Sequence, residues 1–419
     1  MTDNIQQYLV HYAEPETSAL TSYFTSLENN PPSFKATLVI PAYQESIAFV
    51  QRIQTSGMAQ QALLLIVVIN QPDDLALNSE LAALQPALFQ TIYELGTLIW
   101  QHENLTLLAL DQSQIFVLLV DRFSVPIPHT QGVGLARKIG VDIALAFIAR
   151  GIVQSKVIAS TDADARLPDN YLTELANLTT TDAAMVFNFH HVGECQSIYQ
   201  ATKLYEQALR YYVAGLRYAG SSYAFYTIGS VIAIQAQAYA SVRGFPKRSA
   251  GEDFYLLNKL AKVGNVVFNQ DCIISIDARL SSRVPFGTGP AVRDILALQA
   301  AGHSYCYYHP MVFEYLKQLL NQFSQLYVNR QQLPMWFANL PIIVSHALSE
   351  IGFLRFVEQH QQVKQVQFER QLNVWFDAFK TLKFIHSIRL QGYADIPLSQ
   401  ALKEANFIPT DTPDGLGNC

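Results

Sequence analysis

The chain has 419 residues, 50% hydrophobic and 15% charged, which is too apolar for a disordered chain and long enough for two or three domains with cores of their own. Lys and Arg total 28 against 34 Asp and Glu, a net charge of −6, and this balance argues against a nucleic-acid binder with its basic face. The widely spaced Cys195, Cys272, Cys306 and Cys419 form neither a zinc spacing nor a disulfide framework and read as free thiols in a reducing compartment.

Residues 1–35 read as a short helical extension that stops at the breaker cluster Asn29, Asn30, Pro31 and Pro32. The start has no basic segment followed by an apolar one, so no secretory signal is expected. Compact apolar runs follow at 36–40 (ATLVI), 62–69 (ALLLIVVI), 105–110, 115–120 and 157–160. Runs of that length with polar residues at the C-terminal end predict buried parallel strands. Helical patterns at 46–55, 135–149 and 169–178 separate them. The alternation predicts an α/β domain with a mainly parallel sheet, whose ligands sit at the carboxyl ends of the strands.

Residues 218–242 and 331–349 carry no charge, but Ser221, Ser222, Thr227, Gln235 and Gln237 interrupt the first and Pro334 and Pro341 the second. Neither is the apolar run of roughly 20 residues that a membrane span needs, so both are expected to be buried and the chain cytoplasmic. A sheet strand is expected around 228–234. The aromatics Tyr218, Tyr223, Phe225 and Tyr226 suit either a core or a wall on which a sugar stacks. From about residue 290 the sequence turns helical, with periodic segments at 311–327 and 363–388, and it ends in a loose Pro-, Gly- and Asp-rich tail from 408. These helices suit an acceptor site, a dimer contact or rest on a membrane surface. Their balanced charge gives anionic lipid nothing to attract.

Four segments carry chemistry. STDADA at 160–165 closes a strand, and the carboxylates of Asp162 and Asp164, two residues apart on extended backbone, project to one side. Hard cations such as Mg²⁺ or Mn²⁺ take such oxygen ligands and share them with a diphosphate, although the same pair also suits an acidic loop. GVGLARKIG at 132–140 opens a helix with Arg137 and Lys138 in its early turns, where cations oppose the macrodipole. A bound anion at that helix end would account for them; so would solvated basic residues. Glu252 and Asp253 open another helix after Gly251, and adjacent helical residues point about 100° apart, so one suits a general base and the other a cap or structural partner. Arg279 and Arg283 flank a turn-rich segment ending at Gly289 that suits a loop over phosphates.

The joint order is more specific than any single segment: VIPAYQE at 39–45, an apolar strand running into Asn70, then Arg137, then Asp162-Ala163-Asp164, then Gly251-Glu252-Asp253. This order resembles the family 2 glycosyltransferases, an inverting type with the GT-A fold, over residues 36–290. The resemblance implies an N-terminal extension (1–35), a GT-A domain (36–290) and a helical C-terminal region (291–419). It implies a metal-dependent transferase that moves a sugar from a UDP- or GDP-sugar donor to the hydroxyl of an unidentified acceptor, with Mn²⁺ or Mg²⁺ as cofactor. Pro41, Ala42, Tyr43 and Glu45 would then line the nucleotide pocket, with Asn70 where the family usually offers an Asp to the base. Arg137 would lie beside the nucleotide, Gly229 and Ser230 beside the sugar, and Arg283 near phosphate or acceptor. Asp164 would hold the metal and Asp162 the ribose or the metal, with His303 or His309 as the candidate third ligand. Asp253 would be the base that deprotonates the acceptor, Glu252 its alternative. A sugar-nucleotide pyrophosphorylase would begin with a glycine-rich basic loop, which VIPAYQESIAF lacks. A catalytically silent nucleotide-binding scaffold is the other alternative, and the filled acidic positions weigh against it.

Overall fold

A computed structural model describes residues 3–27, 32–75, 79–281, 283 and 287–408. The breakers at 29–31, much of the turn-rich segment at 282 and 284–286, and the tail from 409 lie outside the described residues. The chain divides into two units, Met1–Tyr199 with Thr227–Pro290, and Gln200–Tyr226 with Ala291–Cys419.

The first unit is built on a sheet of ten strands among the described residues, in the order β3-β4-β5-β2-β1-β6-β9-β8-β10-β7. They are β1 (Ala36–Ala42), β2 (Leu63–Pro72), β3 (Gly96–His102), β4 (Leu105–Leu110), β5 (Ile115–Ile127), β6 (Val157–Ser160), β7 (Ala165–Arg166), β8 (Asp182–Val192), β9 (Ile232–Gln235) and β10 (Asn265–Asp277). Pairing along the sheet makes β3, β5, β2, β1, β6, β8 and β10 run one way and β4, β9 and β7 the other. The sheet is mainly parallel and flanked by helices, so the protein is α/β. Leu63 to Ile69 are sealed from solvent on both sides of the sheet, as a central parallel strand requires. The expected apolar runs at 36–40, 62–69, 105–110, 115–120 and 157–160 all form strands.

Helix Gly132–Ala149 crosses the centre of one face and is buried nearly all round, charges included. Lys138 explains itself here. Its ammonium donates to Asp142 Oδ2 at 2.6 Å, Tyr8 Oη at 2.9 Å and the Tyr12 carbonyl at 2.7 Å. Tyr8 Oη in turn donates to Asp142 Oδ1, and the Glu14 amide donates to Oδ2. The N-terminal segment is therefore stapled onto this helix by a buried network rather than hanging from the sheet. Lys138 is balanced by carboxylates of its own unit and needs no bound anion.

The stretch expected to be a strand at 228–234 is a single turn, Gly229–Val231, followed by β9. Because β9 is antiparallel to β6, with Ile232 opposite Ser160, that turn lies beside the carboxyl end of β6.

The second unit is helical around a core of Tyr211, Phe313, Leu316, Trp336, Phe353, Phe356 and Phe384. Tyr223, Phe225 and Tyr226 are buried, which is the core alternative of the sequence reading. The periodic segment 363–388 is two helices, Gln365–Trp375 and Ala378–Leu390. Asp377 divides them: its backbone is extended and its side chain accepts from the amides of Phe379 and Lys380, an N-cap. No helix among the described residues is long and apolar enough to cross a membrane.

Gly140 is where the buried helix meets the sheet most closely. A Cβ there would lie 2.4 Å from Val39 Cγ1 and 3.2 Å from Val68 Cγ2, on stiff β-branched neighbours. Overpacking costs about 1–3 kcal/mol, and the helix propensity gained on leaving glycine offsets up to about 1 kcal/mol. Gly140→Ala is expected to lower the thermal midpoint by up to about 5 °C in calorimetry of the full chain; a raised midpoint contradicts the tight contact.

Candidate active site

The carboxyl ends of β1, β6 and β10, the start of β9 and the start of helix Glu252–Leu260 bring charged side chains together. At their centre is Arg137, in the second turn of the buried helix and 2% exposed. Its Nε donates to Glu252 Oε1 at 2.9 Å, one terminal nitrogen to Ser160 Oγ at 3.1 Å, and the other to Asp162 Oδ1. Burial works against a cation, but Asp162 and Glu252 hold its pKa above the ordinary arginine value. Gly229 makes room for it, since a Cβ there would stand 2.3 Å from the guanidinium. Ser230 completes the frame: its Oγ donates to Asp162 Oδ2 at 2.5 Å, and its carbonyl accepts from Thr161 Oγ1 at 2.7 Å.

Asp162 and Asp164 leave β6 in different states. Burial pushes Asp162 up, but the Arg137 charge and the hydrogen bonds from Ser230 and Arg137 bring it below the usual carboxylate value. Asp164 is pushed up to about 6, first by burial and then by the Asp162 charge. Its Oδ2 accepts from Arg279 Nε at 3.0 Å, while its Oδ1 is sealed from solvent without a hydrogen-bond partner among the described residues. Arg52, from helix Ala48–Thr55, supports the loop by donating to the carbonyls of Ala163 at 2.7 Å and Ala165 at 3.3 Å.

Glu45, just after β1, is held by two arginines. Arg279 grips both its oxygens, at 2.6 and 3.1 Å, and Arg283 donates to Oε1 at 2.5 Å and to the Tyr43 carbonyl at 2.7 Å. Gln44 between them takes a left-handed backbone (φ 55°), an uncommon conformation for a residue with a Cβ. Pro41 and Ala42 end β1 as wholly buried residues, so neither presents a surface to a ligand here. Asn70 is buried near the end of β2. Next to it, Gln71 Oε1 accepts from Gln85, whose own Oε1 accepts from the Gln44 amide.

Glu252 and Asp253 separate as their helical spacing requires. Glu252 is 5% exposed and committed to Arg137. Asp253, one residue on, accepts from the Phe254 amide and is pushed up to about 8, by burial first and the Glu252 charge next. Asp162 keeps 30% exposure and Asp164 18%, so the ligand-facing side of the cluster is the one carrying Asp162, Asp164, Glu45 and the two loop arginines.

Arg137 therefore does not project toward a nucleotide from the helix end; it is the buried strut of the site. His303 lies in the second unit, exposed, on the turn before the short strand Cys306–Tyr307. Among the described residues no three His, Cys, Asp or Glu side chains converge as a metal-holding group. The donor set still suits a hard divalent cation, because such ions settle for one or two carboxylates when substrate phosphates complete their shell. The Asp164 carboxylate, beside a second carboxylate and with one oxygen lacking an internal partner, is that kind of ligand. Arg52 is a contributor that the sequence reading does not single out; Arg279, which that reading assigns with Arg283 to a loop over phosphates, holds Glu45 and Asp164 here.

No known protein family matches the chain by sequence, and no curated protein does. Among solved structures, it is similar to TarS 1-349 of S. aureus in complex with UDP-GlcNAc, at 12% identity over 81% of this chain and 90% of that one, with a TM-score of 0.35. It is similar to the mannosyltransferase PcManGT of Pyrobaculum calidifontis in complex with GDP-Man and Mn²⁺, at 14% identity, 92% and 98% coverage and a TM-score of 0.38. It is similar also to glucosyl-3-phosphoglycerate synthase of Mycobacterium tuberculosis in complex with Mn²⁺, UDP and glucosyl-3-phosphoglycerate, at 12% identity, 66% and 84% coverage and a TM-score of 0.32. Likeness at this level leaves the argument to the chain's own residues.

Removing one partner from a buried ion network costs about 3–5 kcal/mol, because the remaining charges stay buried and uncompensated. Arg137→Met is expected to show that loss in denaturant unfolding, and adding Glu252→Gln is expected to recover part of it. Additive losses would show that the two side chains do not share a network.

Proposed function

We propose that this chain is a GT-A glycosyltransferase that moves a sugar from a nucleoside-diphosphate donor, a UDP- or GDP-sugar, to an acceptor hydroxyl with inversion, and that it uses Mn²⁺ or Mg²⁺. The observation that carries the reading is the state of the paired aspartates after β6: Asp162 ionised and fixed by Arg137, Asp164 under-satisfied with one oxygen unpartnered. Such a pair at the carboxyl edge of a parallel sheet, next to two arginines, suits a diphosphate and its cation.

Tyr43 and Asn70, after β1 and on β2, lie where a nucleotide base and ribose would rest at that edge, and Arg283 is placed for the phosphates. Gly229 and Ser230 form the wall beside the sugar. Asp164, with Asp162, would hold the cation, which when bound supplies charge neutralisation for the departing diphosphate. Asp253 takes the acceptor proton. Its raised carboxyl is matched to a high-pKa hydroxyl, and a base on the acceptor side fits a single displacement with inversion. Glu252, the alternative base, is spent on Arg137 and positions the helix instead.

The reading is tested by incubating the purified protein with UDP-, GDP- and dTDP-sugars, with and without Mn²⁺, and measuring diphosphate release. Asp164→Asn is expected to abolish the Mn²⁺-dependent part. Asp253→Asn is expected to keep donor affinity and lose about 10²-fold or more in transfer. Transfer at the native rate by Asp253→Asn removes it as the base. Donor binding without release from any sugar nucleotide favours the silent scaffold.

The pH profile follows from the same carboxyl. A base must be ionised, and Asp253 is pushed up to about 8, so kcat/KM is expected to rise with pH to a midpoint near 8 in the free enzyme. An acidic limb centred near pH 4 would mean that another group takes the proton.

A further inference from the structure

One side chain in the cluster does a job that the donor reading leaves open. Arg279 lies two residues beyond the end of β10, and the backbone leading to it is anchored twice: the Asp277 amide donates to the Asp164 carbonyl at 3.0 Å, and the Ala278 amide to the Val192 carbonyl at 2.6 Å. From that base the guanidinium reaches two carboxylates at once. It grips Glu45 with two nitrogens, and its Nε and a terminal nitrogen lie 3.0 and 2.9 Å from Asp164 Oδ2. The other oxygen of Asp164 is the sealed, unpartnered one. Asp164 is thus covered on its reachable oxygen and closed on its free one.

A divalent cation and a guanidinium on the same carboxylate stand only a few ångströms apart. Their repulsion is strong where water is scarce, and it is relieved only by further negative charge. The phosphates of a donor are that charge, and a guanidinium with five N–H donors can accept a phosphate oxygen in exchange for Asp164 while keeping Glu45. Arg283 secures Glu45 independently, so Glu45 need not move in the exchange.

We propose that Arg279 is an internal stand-in for the cation: it occupies Asp164 in the donor-free protein and releases it to the metal when a nucleoside diphosphate arrives, so that cation and donor bind interdependently. The proposal rests on the donor reading above. It makes Arg279 a positioning residue that keeps an isolated cation out and couples its uptake to the substrate.

The test is Mn²⁺ binding to the full chain, measured by titration calorimetry and by loss of the free Mn²⁺ signal in electron paramagnetic resonance, without nucleotide and with saturating UDP or GDP. In the unaltered protein, Mn²⁺ affinity is expected to rise about tenfold or more with UDP or GDP, and nucleotide affinity to rise by the same factor with Mn²⁺. Arg279→Gln is expected to bind Mn²⁺ at least about fivefold more tightly without nucleotide, with the coupling reduced toward one. Arg279→Lys keeps the charge and is expected to keep the exclusion. Arg283→Gln removes a charge that acts on Asp164 from a distance without donating to it, and is expected to raise nucleotide-free Mn²⁺ affinity by less than Arg279→Gln does. Unchanged nucleotide-free affinity in Arg279→Gln, with nucleotide-dependent uptake intact in the unaltered protein, overturns the stand-in and spares the donor reading. An equal gain in Arg283→Gln overturns competition at Asp164 in favour of general charge. Failure of UDP and GDP alike to bind or to raise Mn²⁺ uptake in the unaltered protein overturns the donor reading and the coupling with it, and that measurement needs no variant to fold.

Discussion

A guanidinium sealed from water is stable only if its donors find acceptors and its charge finds carboxylates, and Arg137 meets both demands from three parts of the first unit at once. Glu252 comes from the start of one helix, Asp162 from the loop after β6, and Ser160 from the end of β6 itself. The constraint propagates outward. The turn before β9 must lack a side chain at Gly229, Ser230 must close on the other oxygen of Asp162, and Glu252 must point inward, which turns Asp253 elsewhere. One buried cation thereby fixes Glu252 and Asp162, whose charges in turn bear on Asp253 and Asp164.

The ligand-facing side has the opposite character. There the negative charge outlasts its internal partners: Asp164 is pushed up by burial and by the Asp162 charge, and it keeps an unpartnered oxygen. Such a site is poorly satisfied by the protein itself, which is the condition under which a bound cation or a proton on a substrate is worth most. Arg279 and Arg283 offset part of the excess through Glu45, and they do so from a loop end rather than from the packed interior. The division between a rigid buried strut and a partly exposed, exchangeable pair is the main electrostatic feature of the first unit.

The N-terminal segment serves the same strut from behind. Tyr8, Glu14 and Lys138 close around Asp142 one turn along the helix that carries Arg137, so the helix is clamped at two successive buried charges. Replacing either network with apolar residues would remove the directional contacts that set the rotation of this helix against the sheet.

Much of this was legible in one dimension. Continuous apolar runs such as ALLLIVVI can only be buried on both faces, so β1, β2, β5 and β6 and the α/β class follow from local pattern. The two-residue spacing of Asp162 and Asp164, and the adjacency of Glu252 and Asp253, dictate which carboxylates point together and which apart. Other elements have no such local signature. β10 is interrupted by a register shift between Asn269 and Ile273, and β3 is an exposed strand with no apolar face to announce it. The helix at 363–388 breaks at Asp377 because a short carboxylate caps the next turn, a competition the apolar period does not reveal. The partners of the charges were the largest gap. Arg137 and Lys138 look alike in sequence, two cations side by side at a helix start, yet one is claimed by Glu252 from 115 residues away and the other by Asp142 on the next turn. Chain pattern determines which residues are buried and which way they face; which buried charge meets which, and so which carboxylates are left for a ligand, depends on strand order and chain crossing, and only the tertiary structure decides that.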